Sequence, residues 1–248
     1  MLVPVRAQLT IGYFDSSREL YGFSGSYISQ ARQFLVDEGH TLLPTNVADA
    51  TFLSKVDAFY TGLISSVSAA EVAAMQDFVD IDGGFLFIQT DYSPSPWNSA
   101  ANTILSNWGI AHGDTHSNDS GHVTVGSSEW VTNPNVVTGF SGKDHSIVTA
   151  APATFEILAK DSADQTILGV FDAGAGRSSD VLVATDIDFW SGIGWSDTRN
   201  RDLWENIWAA AADQIDPPVS TVPDAGSTLL LLGAAMASLY FVRRKVLT

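Results

Sequence analysis

Four aspartates each fall just after a predicted β-strand, where carboxylates commonly take part in binding or catalysis. They are Asp15, Asp91, Asp186 and Asp188. In an open α/β sheet, ligands bind beyond the carboxyl ends of the strands, so several of these side chains could converge on one crevice. Clustered carboxylates hold hard cations such as Ca²⁺ or Mg²⁺, or accept hydrogen bonds from sugar hydroxyls. The alternative is that each one caps a loop or a helix N-terminus, as aspartate often does.

A second group of polar side chains lies between Ala111 and His122. It contains three histidines and two aspartates, and His112, His116 and His122 are its candidate ligands for Zn²⁺ or a related ion. The glycines and polar residues of this segment predict a loop, so no helix would fix His112 and His116 on one face. We therefore expect a solvated loop here. No cofactor is expected from the sequence, and a divalent cation is the one candidate.

The common catalytic nucleophiles are missing or misplaced. The chain has no cysteine, which excludes disulfides, thiolate metal sites and a cysteine nucleophile. A serine nucleophile would need a Gly-x-Ser-x-Gly turn after a strand, and the Gly-Phe-Ser-Gly run at 22–25 does not have that spacing. Hydrolysis by a serine triad is therefore not expected. Trp190 and Trp195, in a glycine-bearing stretch, either stack on a sugar ring or pack over a loop.

The elements that would position these residues alternate along the chain. Short apolar runs at 9–14, 40–43, 56–61 and 85–90 predict strands, whereas 27–38, a turn near Thr51, 68–80 and 97–108 predict helices. Ser68 and Glu71 have the spacing of a capping box at a helix start. The β-α-β-β-α-β order up to residue 91 predicts right-handed crossovers and a doubly wound α/β domain with a mainly parallel sheet.

The second half of the body becomes strand-like. Between 109 and 175, irregular apolar runs separated by Gly, Asn, Pro and Asp predict a β-rich insertion or extension. Residues 179–186 then predict a last core strand, and 201–215 a last helix with one apolar face. We therefore expect residues 9–215 to form one domain, followed by a linker at 216–224.

Composition supports a packed body and argues against one class of partner. The 248 residues are 45% apolar, which is normal for a globular core. The net charge of −16 repels phosphate backbones, so we expect no nucleic acid partner.

The C-terminal tail has the layout of a membrane anchor. Residues 229–242 are uncharged and apolar, and counting back to Gly226 gives a marginal span, because a helix needs roughly 20 apolar residues to cross the hydrocarbon core. The basic residues Arg243, Arg244 and Lys245 follow, and such a flank stays cytoplasmic, which places the body outside. A buried core helix is the alternative, but core helices rarely close on three basic residues. We predict a transmembrane helix and basic tail over 225–248.

The same segment resembles a known sorting signal. Val222-Pro223-Asp224-Ala225-Gly226, the leucine-rich run and the basic triplet are similar to the VPDSG variant of the PEP-CTERM signals processed by exosortases, with alanine where the pattern has serine. The resemblance implies export across the inner membrane, transient anchoring, and cleavage near the Val-Pro-Asp motif with transfer to the cell surface or its polymer matrix. The implied partners are an exosortase-type protease and the inner membrane, and extracellular polysaccharide is a candidate partner.

The N-terminus does not supply the matching export signal. Residues 1–8 lack the apolar stretch of 7 to 15 residues that a signal peptide needs. Residues 5–7 could end such a peptide, so we expect the true start to lie upstream. Otherwise the C-terminal segment would act as a tail anchor.

The body resembles the non-catalytic branch of the class I glutamine-amidotransferase-like superfamily, which implies a flavodoxin-like sheet. The similarity is carried by residues 78–88 with their double glycine, by 174–190 with their Asp-x-Asp-Phe run, and by Asn206. Catalytic members place a cysteine after the strand that here ends at Thr90, where this chain continues with Asp91. The resemblance therefore implies that the glutaminase activity is absent.

Two functions remain open from the sequence. The first is a binding or structural surface protein whose amidotransferase-like domain lacks enzymatic residues. The second is a metal-dependent hydrolase that acts on polysaccharide through the four aspartates. No acid and base with a recognisable spacing are visible, although glycosidase carboxylates need only meet in space. We favour the first, and the positions of the aspartates separate the two.

Overall fold

The computed structural model describes residues 7–92, 96–113, 121–123, 128–172 and 180–215, with the backbone alone for 121–123. The predicted linker, sorting motif and membrane anchor lie outside these residues. No helix within the described ranges is long and apolar enough to cross a membrane.

The described residues form a set of short strands and six helices. The strands are β1 Thr10–Phe14, β2 Glu19–Tyr21, β3 Thr41–Thr45, β4 Ala58–Tyr60, β5 Leu63–Ile64, β6 Phe85–Gln89, β7 Ala111–Gly113, β8 Gly121–Val123, β9 Gly139–Phe140, β10 Ile147–Ala150, β11 Phe155–Lys160, β12 Thr166–Asp172 and β13 Asp180–Ala184. The helices are α1 Ser29–Asp37, α2 Ala50–Leu53, α3 Ala69–Asp80, α4 Pro96–Leu105, α5 Glu129–Thr132 and α6 Thr198–Ile215.

One central sheet of nine strands has the order β3-β1-β4-β6-β13-β12-β11-β8-β9. Strands β3, β1, β4, β6 and β13 run parallel, and β12, β11, β8 and β9 continue the sheet with antiparallel pairs. The β-rich stretch is therefore an extension of the main sheet. The five parallel strands confirm the predicted α/β fold.

Helices cover both faces of this sheet. Buried residues of α1, α5 and α6 form one apolar cluster with one sheet face, and those of α2, α3 and α4 form a second cluster with the other. Strands β6 and β13 are buried along their whole length, because both of their faces are covered. This burial explains why both strands have continuous apolar sequences, and why the sequence alone predicts them as strands.

The predicted capping box at the start of α3 is present, and it also joins α3 to its neighbours. Ser68 Oγ accepts the Glu71 N–H, and the Glu71 carboxylate accepts the Ser68 N–H. The same carboxylate pairs with the Arg18 guanidinium at 2.8 Å and accepts the Ala48 N–H. Burial alone would raise the pKa of Glu71, but Arg18 and Ser68 lower it to about 2. Glu71 therefore ties three segments together as an ionised group.

Replacing this carboxylate should destabilise the body. We expect Glu71→Gln to lower the free energy of unfolding at neutral pH by about 2 kcal/mol, because the amide cannot pair with Arg18 and cannot accept all the N–H groups. The folded-state pKa is depressed, so the difference from the parent should shrink as the pH falls from the usual pKa of Glu towards 2. Urea denaturation measures both effects. Exposed Glu38→Gln is the control, and a Glu71→Gln variant as stable as that control would contradict the assignment.

Candidate functional site

Asp15, Asp91 and Asp186 lie at one edge of the central sheet, the edge formed by the carboxyl ends of its parallel strands. Strands β1, β6 and β13 run parallel through β4, and the three aspartates follow their carboxyl ends by one or two residues. Asp188 lies at the same edge, on the short turn of 3-10 helix at Ile187–Phe189. The edge expected from the order of strands and helices is therefore the edge at which the aspartates are found.

Three of these side chains form a buried group, here called the carboxylate cluster: Asp91, Asp186 and Asp188. Their exposed fractions are 8%, 0% and 8%. Burial raises the pKa of Asp91 to about 7, opposed by the Tyr92 N–H and reinforced by the Asp188 carboxylate. Burial likewise raises the pKa of Asp186 well above its usual value, and the charges of Asp91 and Asp188 add to this. At neutral pH Asp91 is therefore partly protonated and can both donate and accept hydrogen bonds.

Backbone and side-chain hydrogen bonds hold the cluster in place. Asp186 Oδ1 accepts the Asp188 N–H and its Oδ2 accepts the Lys143 N–H, both at 2.7 Å. Both oxygens of Asp186 are thus used to position the loop. The Tyr27 hydroxyl donates to Asp188 Oδ1 at 2.5 Å, which brings the segment before α1 to the cluster.

The Asp15 side chain has the capping role instead. Its Oδ1 accepts hydrogen bonds from the N–H and the hydroxyl of Ser17. These hydrogen bonds, the one from the hydroxyl most of all, lower the pKa of Asp15. Its backbone carbonyl accepts the N–H groups of Arg18 and Glu19. Asp15 therefore lies at the predicted edge, but its carboxylate closes a turn and is not part of the cluster.

The prediction of a solvated loop at His112 is wrong. His112 lies on β7, is 5% exposed, and burial lowers its pKa to about 3, so its imidazole is neutral. Sequence periodicity missed β7 because it has only three residues and pairs with the distant β10. His116 lies outside the described residues and His122 is described by its backbone alone. Within the described ranges no group of three or more His, Cys, Asp or Glu side chains could hold a metal ion.

Buried hydroxyls connect His112 to the end of β6. Thr90 Oγ1 lies 3.1 Å from His112 Nδ1 and 3.0 Å from Ser146 Oγ. His112 Nε2 is buried and has no hydrogen-bond partner among the described residues. This network lies directly before Asp91 and fixes the end of the strand that presents it.

The exposed aromatic rings near the cluster are not the ones that the sequence suggested. Trp190 and Trp195 are buried, with Trp190 Nε1 donating to Gln89 Oε1 at 2.9 Å, so neither presents a face to a sugar. Tyr27 is 38% exposed and its ring lies 4.8 Å from that of Tyr21. Tyr92, next to Asp91, is 44% exposed. Tyrosine rings therefore border the cluster. In the sequence, only the position of Tyr92 directly after Asp91 could have indicated one of them.

Sequence reasoning also missed a buried acid at this edge, Glu19 on β2. It is 4% exposed, its Oε2 accepts the Ser24 N–H at 2.7 Å, and its Oε1 has no partner in the described part of the chain. A Cβ atom at Gly62 would lie 1.8 Å from that oxygen, and Gly62 has a positive φ of 58°, so glycine is required there. Burial raises the pKa of Glu19 to about 7.

The C-terminal tail is identified from its sequence. Residues 221–246 match the VPDSG-CTERM motif. The chain carries an exosortase sorting signal. It contains the predicted motif residues Val222, Pro223, Asp224 and Gly226 and the basic residues that end the predicted anchor. No curated protein sequence matches the chain.

The body is similar to solved structures of α/β domains. The mmIFT52 N-terminal domain aligns with a TM-score of 0.71 and 11% identity over 82% of this chain and 97% of that domain. A ThuA-like protein from Bacteroides uniformis gives 0.55 and 12%, over 82% and 90% of the two chains. A second ThuA-like protein, from Parabacteroides merdae, gives 0.51 and 12%, over 87% and 94%. At these identities the likeness shows the fold alone.

Proposed function

We propose that this protein is an exported surface protein, sorted by an exosortase, whose body binds a polyhydroxylated ligand in the crevice at the carboxylate cluster without cleaving it. The sorting signal at 221–246 supports the cellular role. The observation that carries the binding role is the cluster itself, with three buried carboxyl groups beyond the ends of parallel strands.

The chemistry of the carboxylate cluster suits sugar hydroxyls. A hydroxyl both donates and accepts, and a partly protonated carboxyl group such as Asp91 can match either role. The exposed rings of Tyr27 and Tyr92 add apolar faces on which a sugar ring can pack. The ligand class that fits is therefore a glycan of the cell surface or its matrix.

Binding should depend on the inner aspartates and not on Asp15. We expect Asp188→Asn and Tyr27→Phe each to weaken binding of extracellular polysaccharide, purified from an exosortase-carrying host, by about tenfold. Asp188→Asn removes a carboxyl group of the cluster, and Tyr27→Phe removes the hydroxyl that holds Asp188 in place. Asp15→Asn is the matched control, since it lies at the same edge with its carboxylate turned into its own loop. Calorimetry on the purified full-length chain measures the affinities. Equal affinities for all three variants and the parent would contradict the proposal.

A second candidate is hydrolysis of polysaccharide at the same crevice. The observation in its favour is Asp91, whose pKa of about 7 suits a general acid. Release of new reducing ends that is lost in Asp91→Asn, with or without added divalent cation, would support this candidate over simple binding.

A further inference from the structure

A cavity of about 370 Å³ lies at the opposite edge of the central sheet, where β13 begins. Asp180, the first residue of β13, and Gln214, near the end of α6, both line it. The carboxylate cluster follows the other end of β13, so this cavity is separate from the crevice of the proposed function.

Two buried oxygen atoms in the lining have no donor among the residues that the structure describes. Asp180 is 5% exposed, and its Oδ2 accepts a hydrogen bond from Gln214 Nε2. Its Oδ1 and the Gln214 Oε1 are buried without a hydrogen-bond partner in the described ranges. Buried acceptors left without a donor cost free energy, so a ligand that brings N–H or O–H groups would stabilise this arrangement.

The charge around these atoms selects the kind of donor. Burial, followed by the carboxylates of Asp172, Glu129 and Glu156, raises the pKa of Asp180 to about 6. Asp180, Glu129 and Glu156 all line the cavity, and the lining residues that the structure describes include no lysine, arginine or histidine. A cationic donor is therefore favoured over a neutral one.

We propose that this cavity binds a small organic cation through its ammonium groups. The N–H donors would satisfy the free oxygens of Asp180 and Gln214, and the positive charge would offset the surrounding carboxylates. Trp130 and Val170 supply an apolar wall for the carbon chain of the ligand. An organic cation fits better than a metal ion because the described acidic side chains are not grouped closely enough to hold one.

The test is calorimetric titration of the full-length chain, purified in a mild detergent, with putrescine as the probe. Butanediol is the neutral control, because it has hydroxyl groups in place of the two ammonium groups. We expect putrescine to bind and butanediol not to bind. Asp180→Asn should weaken putrescine binding at least about tenfold, because a charge-assisted hydrogen bond is lost.

Further variants keep the result interpretable. Glu156→Gln, half-buried at the cavity wall, should weaken binding in the same direction if Asp180→Asn does not fold, and Asp15→Asn should bind like the parent. Equal binding of putrescine and butanediol, parent-like affinity in both cavity variants, or no binding at all would overturn the proposal. Arg177 lies between Asp172 and Asp180 in sequence. If only Arg177→Ala binds putrescine, the chain's own guanidinium is the cation, and the proposal of an external ligand is overturned.

Discussion

Raising the pH from about 5 to about 8 should lower the free energy of unfolding of the body by about 2.5 kcal/mol through Glu19 alone. The pKa of this buried carboxyl is raised from its usual 4.5 to about 7, so the folded state keeps a proton that the unfolded chain loses. Its contribution is fully present below the usual pKa and is lost as the pH rises through 7. Asp91, with a pKa also raised to about 7, acts in the same direction.

Carboxyl groups with lowered pKa values do not change this slope, but two histidines oppose it. Glu71, Asp15 and Asp197 contribute stability above the usual carboxyl pKa and lose it in acid, so their contributions are nearly constant between pH 5 and 8. Burial lowers the pKa of His112 to about 3 and also lowers the pKa of His40, so both add stability as the pH rises to about 6.5.

Urea denaturation at several pH values measures the slope. Glu19→Gln should remove the contribution of Glu19 from this slope, because the amide does not titrate, and the contribution of Asp91 should remain. Exposed Glu38→Gln should leave the slope of the parent unchanged. A slope in Glu19→Gln that is the same as in the parent would contradict the assignment of Glu19 as a buried neutral acid.

Changing the sorting motif should hold the protein at the membrane. In a host with the matching exosortase, we expect the Pro223→Ala and Asp224→Ala double variant to stay in the membrane fraction while the parent reaches the surface fraction. Arg243, Arg244 and Lys245 would keep an unprocessed tail in place, since moving such charges through the bilayer centre costs about 2.5 to 3.5 kcal/mol each.

The linker offers a matched control for this experiment. A Pro217→Ala and Pro218→Ala double variant also removes prolines, but it leaves residues 221–246 unchanged. It should be sorted like the parent. If both double variants fractionate alike, the Val-Pro-Asp motif is not what the protease recognises.

The parallel half of the fold could be predicted from the sequence because its signals are local. Strands such as β6 are continuous apolar runs, and Ser68 with Glu71 marks the start of α3 by spacing alone. The shared edge of Asp91 and Asp186 then follows from the alternation of strands and helices. The capping role of Asp15 was also open to prediction, because the Asp-Ser-Ser sequence after β1 is typical of a turn that an aspartate caps.

The rest depends on contacts between distant segments. Strands β2, β5, β7 and β9 have two or three residues each, too few for any periodicity, and each pairs with a strand far away in sequence. The burial of Glu19 and His112 follows from these pairings. The cavity at Asp180 likewise brings together α5, β11, β12, β13 and α6, which no local pattern predicts.

Intact mass spectrometry of the protein extracted from the cell surface tests the central claim most directly. The claim is that residues 221–246 are a processed exosortase signal on an exported binding protein. The mature protein is predicted to end between Val222 and Gly226. Its mass should therefore lack the apolar run and the basic triplet, about two dozen residues in all. A mass that retains Arg243 to Thr248 in a host with the matching exosortase would contradict the account and make the tail a permanent anchor.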